Sequence, residues 1–243
     1  MDFLRIAELL QPFLDPDSKS SAAGGGPSVL FPAQLQSIST YIDLLMHWNA
    51  RVNLTSVRRA EQIVTRHFGE SLFTARHLFP AREQCPAAQV IDVGSGAGFP
   101  GLPIHIWAPH THLTLIESNH KKATFLREVI RALTLINVNV FAGRAAAFQQ
   151  GSPASQQSLS SQAAGDVVTL RAVEHFDSIV PAAASLVSPS GRMAILIGHA
   201  QINHAHQLTP DMTWDMPIRL PLSSNRALII GRKGRMAESN LDS

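Results

Sequence analysis

Residues 90–101 have the sequence VIDVGSGAGFPG, which is the strongest indication of the fold. A short apolar run ends at Asp92 and Val93, glycines alternate at positions 94, 96 and 98, and Pro100 follows. Glycine permits positive φ and lets a ligand approach the backbone closely. Proline suits the first position of a helix, because its missing N–H would be unpaired there in any case. The stretch therefore predicts a strand, a glycine-rich turn and a helix that begins at Phe99 or Pro100. Open α/β sheets bind their ligands at such a turn.

Two ligand classes fit this turn. Residues 96–101 satisfy the dinucleotide pattern G-x-G-x-x-G, whereas residues 92–98 resemble the D-x-G-x-G-x-G turn of class I methyltransferases, which bind S-adenosylmethionine. Asp92 favours the second interpretation. Glu117 ends the next predicted strand, where a carboxylate can accept hydrogen bonds from the ribose hydroxyls of either ligand. A turn with a purely structural role is the remaining alternative.

The region from residue 89 onward alternates short apolar runs with helical segments, which is typical of parallel strands joined by helical crossovers. We predict an α/β fold with a mostly parallel seven-stranded sheet and helices on both faces. Helices are predicted at 121–133 and 176–186. Strands are predicted at 89–93, 112–116, 138–141, 166–170 and 192–197, with a terminal hairpin at 212–220 and 227–232.

The region before the glycine turn has helical periodicity at residues 1–14, 33–50 and 61–78. These helices predict an N-terminal helical cap over residues 1–80, with a flexible connector at 15–32 that contains three successive glycines. Residues 81–243 are then predicted to form the domain that contains the glycine-rich turn and binds S-adenosylmethionine, the methyl donor. The low-complexity segment 151–165 is interpreted as a mobile insertion in that domain.

Composition narrows the class of protein. The chain has 243 residues, 45% of them hydrophobic, and no apolar run approaches the roughly 20 residues of a membrane span. A single cysteine, Cys85, excludes an internal disulfide framework, so we expect a cytosolic protein without a membrane segment. The histidines around positions 105–112 and 199–206 are not expected to bind a metal, since few acids lie nearby.

Positive charge is concentrated in one segment. Residues 51–82 contain six arginines against Glu61 and Glu70, although the whole chain has a net charge of only +2. The planar arginine fork binds phosphate oxygens in pairs, so this cluster suits nucleic acid. A solvated helix face is the alternative.

Several segments together resemble one family, RsmG (GidB). They are residues 44–57 (LLMHWNARVNLTSV), 66–72 (RHFGESL), 92–103, 115–126 (LIESNHKKATFL), 143–145 (GRA) and 171–173 (RAV). That family consists of bacterial 16S ribosomal RNA guanine-N7 methyltransferases with the class I, Rossmann-like fold. The tryptophan–asparagine and asparagine–leucine–threonine block lies outside the generic methyltransferase fold, so it discriminates among methyltransferases.

The resemblance implies roles for individual residues. Gly94, Gly96 and Phe99 line the methionine and sulfonium end of the donor, and Glu117 holds the ribose. Arg171 is expected beside the donor and the reaction site, where it orients the base or contacts the donor carboxylate; a simple ion pair with a carboxylate at the end of the sheet is the alternative. The backbone that flanks the adenine belongs to Ala145 and Ala146. The positively charged segment, rather than the resemblance, gives the residues expected to bind RNA: Arg51, Arg58, Arg59, Arg66 and His67. Closure of Arg66 and His67 over the donor is the alternative.

The implied substrate is 16S ribosomal RNA or the 30S subunit, and we expect a monomer. Guanine N7 exposes a lone pair and carries no proton at neutral pH, so no general base is required. Three positions depart from the family pattern: Ala146 replaces a glutamate, Glu70 an aspartate, and Ile197 a lysine. The open alternatives are a methyltransferase acting on another RNA or a small molecule, an oxidoreductase using NAD, and an RNA-binding protein with a lapsed site.

Overall fold

The computed structural model describes residues 1–15, 30–80, 87–150, 164–172 and 175–234. Most of the predicted connector (15–32) and of the predicted insertion (151–165) therefore lies outside the described residues, as do Cys85 and Val173. The predicted boundary between the helical cap (1–80) and the second domain (81–243) lies next to residues 81–86, which are not described, and it stays a prediction. No helix within the described ranges is both long and apolar enough to cross a bilayer.

The structure is built around one sheet, which has eight strands within the described residues, in the order β3-β2-β1-β4-β5-β8-β6 with β7 paired to β8. Strands β1 to β5 are parallel, whereas β8 runs antiparallel to β5, β6 and β7. The predicted α/β fold is confirmed. The strands are β1 (Gln89–Val93), β2 (His112–Glu117), β3 (Val138–Ala142), β4 (Gly165–Arg171), β5 (Val187–Gly198), β6 (Met212–Trp214), β7 (Ile218–Arg219) and β8 (Arg226–Lys233).

The eighth strand arises because the predicted strand at 212–220 is divided. Residues 215–217 separate β6 from β7. Pro217 has no N–H to donate to the ladder, so the pairing with β8 is interrupted there.

Helices cover both faces of the sheet. The predicted helix at 61–78 is observed as α3, a π-helical segment Val64–Gly69 and α4 in direct succession. Two short helices, α7 and α9, were not predicted, because five and seven residues carry too little periodicity. The helices are α1 (Phe3–Leu14), α2 (Pro32–Val52), α3 (Ala60–Ile63), α4 (Glu70–Leu78), α5 (Gly101–Trp107), α6 (His120–Ala132), α7 (Ala145–Gln149), α8 (Phe176–Ser185) and α9 (Ile202–Leu208).

Two apolar clusters fix which helices lie on which face. One joins α1 to α6 with one face of the sheet, and it contains the largest fully buried side chains, such as Tyr41, Phe68 and Phe125. The other joins α7, α8 and α9 with the opposite face, around Val168 and Ile195. The N-terminal helices thus share a core with α5 and α6.

Strand alternation directs the polar residues of the sheet toward the N-terminal helices. Successive side chains of a strand point to opposite faces. In β4, Val167 belongs to the cluster with α1 to α6, so Thr169 and Arg171 point to that same face. Arg171 is therefore directed at the helices that precede the glycine turn.

Candidate active site

The carboxyl ends of three neighbouring strands meet at one edge of the sheet. Val93 of β1 is in register with Ile116 of β2 and with Leu170 of β4. Since these strands are parallel, the next residue of each lies at the same edge: Gly94, Glu117 and Arg171. The three strongest candidates from the sequence are thus brought together.

The glycine turn has the backbone conformation that glycine favours. The φ angles of Gly94, Gly96 and Gly98 are 70°, 58° and 88°. A Cβ at Gly96 would meet only the Gly94 carbonyl oxygen, at 3.8 Å, so the space beside this glycine is open to a ligand. Helix α5 begins at Gly101, slightly later than predicted, with Pro100 as its N-cap residue.

Asp92 fastens the turn from inside the protein. It is fully buried, and its carboxylate accepts hydrogen bonds from Thr169 Oγ1 at 2.7 Å and from the Gly101 N–H at 3.3 Å. Burial raises the pKa of Asp92 to about 6. A Cβ at Gly101 would lie 2.8 Å from this carboxylate, which explains a glycine at the start of α5. Asp92 therefore links β1, β4 and α5.

Glu117 lies directly opposite the glycine turn. One carboxylate oxygen accepts the Gly96 N–H at 2.8 Å, and the other accepts the Asn119 N–H at 2.7 Å. A carboxylate oxygen has two lone-pair sites, so each can accept a further hydrogen bond from a hydroxyl. These contacts hold the carboxylate in place, with capacity left for the two hydroxyls of a ribose.

An aromatic layer supports the turn from the side of the N-terminal helices. Phe99 stacks on Tyr41 with ring centroids 5.4 Å apart and on His67 at 4.9 Å, and its ring meets Phe68 edge to face. The Tyr41 hydroxyl donates a hydrogen bond to the backbone oxygen of Ala97. Sequence reasoning treated α2 only as an apolar stripe and did not connect Tyr41 with the turn.

Arg171 is held by the π-helical segment. Its Nη2 donates to the Arg66 carbonyl oxygen at 2.6 Å and to His67 Nδ1 at 2.9 Å, and its Nη1 lies 3.4 Å from the His67 carbonyl oxygen. The guanidinium carbon lies 5.9 Å from the centre of the Phe99 ring. Burial lowers the pKa of Arg171 to about 10, which leaves it charged at neutral pH.

Glu70 balances that charge. Its carboxylate lies 3.3 Å from Arg171 Nη2 and also pairs with both terminal nitrogens of Arg226, one of them at 2.8 Å. The Glu70 side chain is 2% exposed. Burial raises its pKa, and the two guanidinium groups oppose that rise. The sequence singled out Glu70 only as a departure from a family pattern, and no motif indicated Arg226.

The remaining candidates lie at the same edge in different surroundings. Ala145 is buried and Ala146 exposed at the start of α7, which follows β3. Ile197 is buried in the cluster around α8 and α9, where a core contact replaces the charge of a lysine. Gly198 is the cross-strand partner of Arg226, so a cation remains at this end of β5.

The arginines expected to bind RNA are not equivalent. Arg51, Arg59 and Arg66 are exposed. Arg58 donates to the Asn49 carbonyl oxygen at 3.3 Å and to Asn53 Oδ1 at 3.2 Å, so it also fastens the end of α2. The ring nitrogens of His67 bond to Arg171 and to Thr55 Oγ1, so both have partners within the protein.

This arrangement fits a methyl donor that carries a ribose. The open space beside Gly96 and the carboxylate of Glu117 suit a ribose, and the Phe99 ring with the Arg171 guanidinium borders the same edge. The residues present therefore fit S-adenosylmethionine.

Comparison with solved structures supports the fold. The structure of MtNAS in complex with MTA and tNA aligns with a TM-score of 0.55 and 12% identity, covering 96% of this chain and 90% of that one. The structure of TrmN from Thermus thermophilus aligns with a TM-score of 0.52 and 15% identity, covering 70% and 53%. At these identities the likeness concerns the fold alone.

Comparison with protein families and curated proteins identifies the relatives. The family model GidB, described as rRNA small subunit methyltransferase G, matches residues 34–227. Proteins named ribosomal RNA small subunit methyltransferase G are 37% identical in Halorhodospira halophila, covering 68% of this chain and 69% of the relative, and 34% identical in Xylella fastidiosa, covering 79% and 84%. The chain therefore belongs to the rRNA small subunit methyltransferase G (GidB) family.

Proposed function

We propose that this chain transfers the methyl group of S-adenosylmethionine to N7 of a guanine in 16S ribosomal RNA. The observation that carries the proposal is the meeting of the glycine turn, Glu117 and Arg171 at one sheet edge. Membership of the GidB family supports the substrate class, and guanine N7 comes with the family. We place the reaction in the cytoplasm and assign it to a monomer.

The donor site uses backbone and one carboxylate. Glu117 accepts hydrogen bonds from the two ribose hydroxyls, while its contact with the Gly96 N–H keeps the carboxylate against the turn. Gly94 and Phe99 line the methionine and sulfonium end. The first turn of α7, at Ala145 and Ala146, presents its backbone to the adenine, so the absence of a longer side chain at position 146 leaves that contact intact.

The chemistry of guanine N7 sets what the remaining residues must do. When bound, the donor supplies an electrophilic methyl group on a sulfonium. The N7 lone pair forms the new bond to carbon, the electrons of the broken S–C bond return to sulfur, and the positive charge passes to the base. No proton moves, so positioning is the task of the protein, and good orientation contributes up to about 7–11 kcal/mol.

Arg171 is the residue we assign to positioning the base. Its side chain is 9% exposed and lies at the edge between the glycine turn and the helices. A guanidinium there can donate to O6 of the guanine major-groove edge and leave the N7 lone pair free to attack. Glu70 offsets one of the two positive charges of Arg171 and Arg226, which lessens the repulsion between Arg171 and a base that becomes cationic.

The RNA path runs over the exposed arginines near α2, α3 and the π-helical segment. We assign Arg51, Arg59 and Arg66 to phosphates, with Arg58 contributing from the end of α2. His67 is assigned to the Arg171 network, since its ring nitrogens are already engaged. Removal of one phosphate-binding arginine should lower the slope of log affinity against log salt by roughly one.

The salt dependence of binding tests whether the RNA contacts these exposed arginines. We expect Arg59→Gln and Arg66→Gln to weaken binding to 30S subunits and to lower the slope. The matched control is Arg232→Gln, which replaces an exposed arginine on β8. Arg232 pairs with Arg192, which lies six residues before the end of β5, so it is distant from the edge of the sheet that carries the site. An equal weakening with Arg232→Gln would contradict the assignment.

The transfer itself is tested with methyl-labelled S-adenosylmethionine and 30S subunits that lack N7 modification. We expect label in 7-methylguanine of 16S RNA. Naked 16S RNA assayed in parallel distinguishes the assembled subunit from free RNA. The control is Gly94→Asp, because an acid side chain at φ 70° should block the donor, with melting temperature as the check on folding. Donor binding without transfer would point to a small-molecule substrate or a lapsed enzyme.

A further inference from the structure

We infer that Asn49 and Thr55 are positioning residues for the transfer: they fix the hydrogen-bonding state of His67 and, through it, the place of Arg171. The inference rests on the proposed function only for the role of Arg171. Thr55 is 12 residues from His67, and His67 is 104 residues from Arg171. Asn49 belongs to the tryptophan–asparagine pair and Thr55 to the asparagine–leucine–threonine triplet, the block that lies outside the generic methyltransferase fold.

The first link joins the last turn of α2 to the segment that follows it. Asn53, the C-cap residue of α2, adopts a left-handed conformation with φ 51° and ends the helix. The buried Asn49 side chain then pairs with both backbone groups of Thr55. Its Oδ1 accepts the Thr55 N–H at 2.9 Å, and its Nδ2 donates to the Thr55 carbonyl oxygen at 3.0 Å. The amide offers a donor and an acceptor on one side chain, so Asn49 fixes the backbone of Thr55.

The second link joins Thr55 to His67. Thr55 Oγ1 lies 2.8 Å from His67 Nε2 and accepts the Val57 N–H at 3.1 Å. The Val57 contact holds the hydroxyl oxygen in one place. A hydroxyl oxygen has two lone pairs, so it can accept from both groups at once.

The third link determines where the proton of His67 is. Arg171 Nη2 lies 2.9 Å from His67 Nδ1, and a guanidinium only donates hydrogen bonds. Nδ1 must therefore accept, which places the proton on Nε2, where it is donated to Thr55 Oγ1. Both contacts select one neutral tautomer of His67.

The consequence concerns the guanidinium. With Nδ1 as an acceptor, His67 and the carbonyl oxygen of Arg66 hold Nη2 of Arg171, and the guanidinium carbon lies 5.9 Å from the centre of the Phe99 ring. Without the Thr55 hydroxyl, Nε2–H loses its partner and the other tautomer becomes competitive. A proton on Nδ1 would then face a donor of Arg171 and displace it. The hydrogen bonds of Glu117 to the Gly96 N–H and the Asn119 N–H involve none of the residues in this chain of hydrogen bonds.

The test compares Thr55→Val, which removes the hydroxyl at nearly constant shape, with Thr55→Ser, which restores it. Thr40→Val on α2 is the matched control, since its hydroxyl accepts only from Gln36 among the described contacts. We measure the single-turnover rate at saturating donor and 30S subunits, the donor Kd, the melting temperature, and the ¹⁵N signals of the His67 ring, identified by their absence in His67→Gln.

The expected result is a specific loss of rate. Thr55→Val should turn over roughly tenfold more slowly, as the loss of one buried hydrogen bond predicts. Its donor Kd should stay close to that of the unaltered protein, and its melting temperature, although lowered by the lost hydrogen bonds, should stay well above the assay temperature. Thr55→Ser and Thr40→Val should keep the rate, and the His67 proton should sit on Nε2 except in Thr55→Val.

Three results would overturn the inference: an unchanged rate in Thr55→Val, a rate in Thr55→Ser as low as in Thr55→Val, or a His67 proton on Nδ1 in the unaltered protein. If the unaltered protein transfers no methyl group to 30S subunits, the proposed function fails. The ring signals then still decide whether Thr55 sets the tautomer, so the two failures are distinguishable.

Discussion

The Arg171 guanidinium lies 3.3 Å from the Glu70 carboxylate, and the same carboxylate is held on its other side by Arg226. Glu70 is in α4, Arg171 at the end of β4 and Arg226 at the start of β8. One buried carboxylate thus connects the N-terminal helices with two strands of the sheet. Its removal would leave two guanidinium groups close together with no counter-charge.

Replacement of Glu70 should therefore lower the stability of the folded protein. We expect Glu70→Gln to lower the free energy of unfolding by roughly 3 kcal/mol, as breaking a buried ion pair does. Glu70→Asp keeps the charge with a shorter reach and should lose less. Urea unfolding at neutral pH measures both. The control Glu128→Gln breaks an exposed pair with Arg131 and should change little. A decrease in Glu70→Gln no larger than in the control would contradict the account.

Acid should weaken the fold through its buried histidines. Burial lowers the pKa of His67 to about 3 and that of His105 to about 4, from 6.5. Below pH 6.5 the unfolded chain therefore takes up protons that the folded chain does not. Each histidine contributes a loss of up to about 1.4 kcal/mol per pH unit between roughly pH 6.5 and the lowered pKa. Unfolding curves at pH 7, 6 and 5 should show a shallower loss in His67→Gln and in His105→Gln. An equal loss of stability per pH unit in the unaltered protein and in both variants would refute this explanation.

Asp92 should lower the stability of the fold as the pH rises, whereas the two histidines lower it as the pH falls. Its folded pKa is about 6, above its ordinary value of 3.8, because the carboxylate is buried. Its contribution to stability is present below about pH 4 and is lost as the pH rises through 6. An asparagine can turn its oxygen to the Gly101 N–H and its amide to Thr169. The stability of Asp92→Asn relative to the unaltered protein should rise between pH 4 and pH 7, by roughly 3 kcal/mol at most. The same difference in the free energy of unfolding between the two proteins at pH 4 and at pH 7 would rule out this role of Asp92.

The Tyr41 hydroxyl should matter for donor binding. It holds the backbone oxygen of Ala97 within the glycine turn, while the ring stacks on Phe99. Tyr41→Phe keeps the ring and loses the hydrogen bond, so we expect a donor Kd roughly fivefold higher by calorimetry. Thr209→Val removes another buried hydroxyl, in the segment after α9, and should leave the Kd unchanged. The same Kd for Tyr41→Phe would show that the turn does not depend on this contact.

The sequence predicted the parts of the site that depend on local pattern. The strand, the glycines and the acid at Glu117 lie within one crossover unit, so their spacing already placed them at one edge. The resemblance to the RsmG (GidB) family is confirmed by the family match, and the α/β fold by the sheet. The individual roles of the site residues stay predictions.

The parts that were missed depend on contacts distant in sequence. Glu70 and Arg226 are 156 residues apart, and Tyr41 reaches the turn across 56 residues. No periodicity within α2 or β8 indicates such partners. His67 was grouped with the RNA-binding arginines because it follows Arg66, yet its place in the helix directs its ring to Thr55 and Arg171. Only the three-dimensional arrangement separates these two uses of neighbouring residues.

A single-turnover assay with Glu117→Gln and Arg171→Lys shows whether one sheet edge holds the donor through Glu117 and the base through Arg171. We expect Glu117→Gln to raise the donor Kd while the rate at saturating donor stays near that of the unaltered protein. We expect Arg171→Lys to keep the donor Kd and to lower the saturated rate by roughly tenfold or more, because orientation of the base is lost. A donor Kd raised in Arg171→Lys, with the rate restored at saturation, would instead assign Arg171 to the donor.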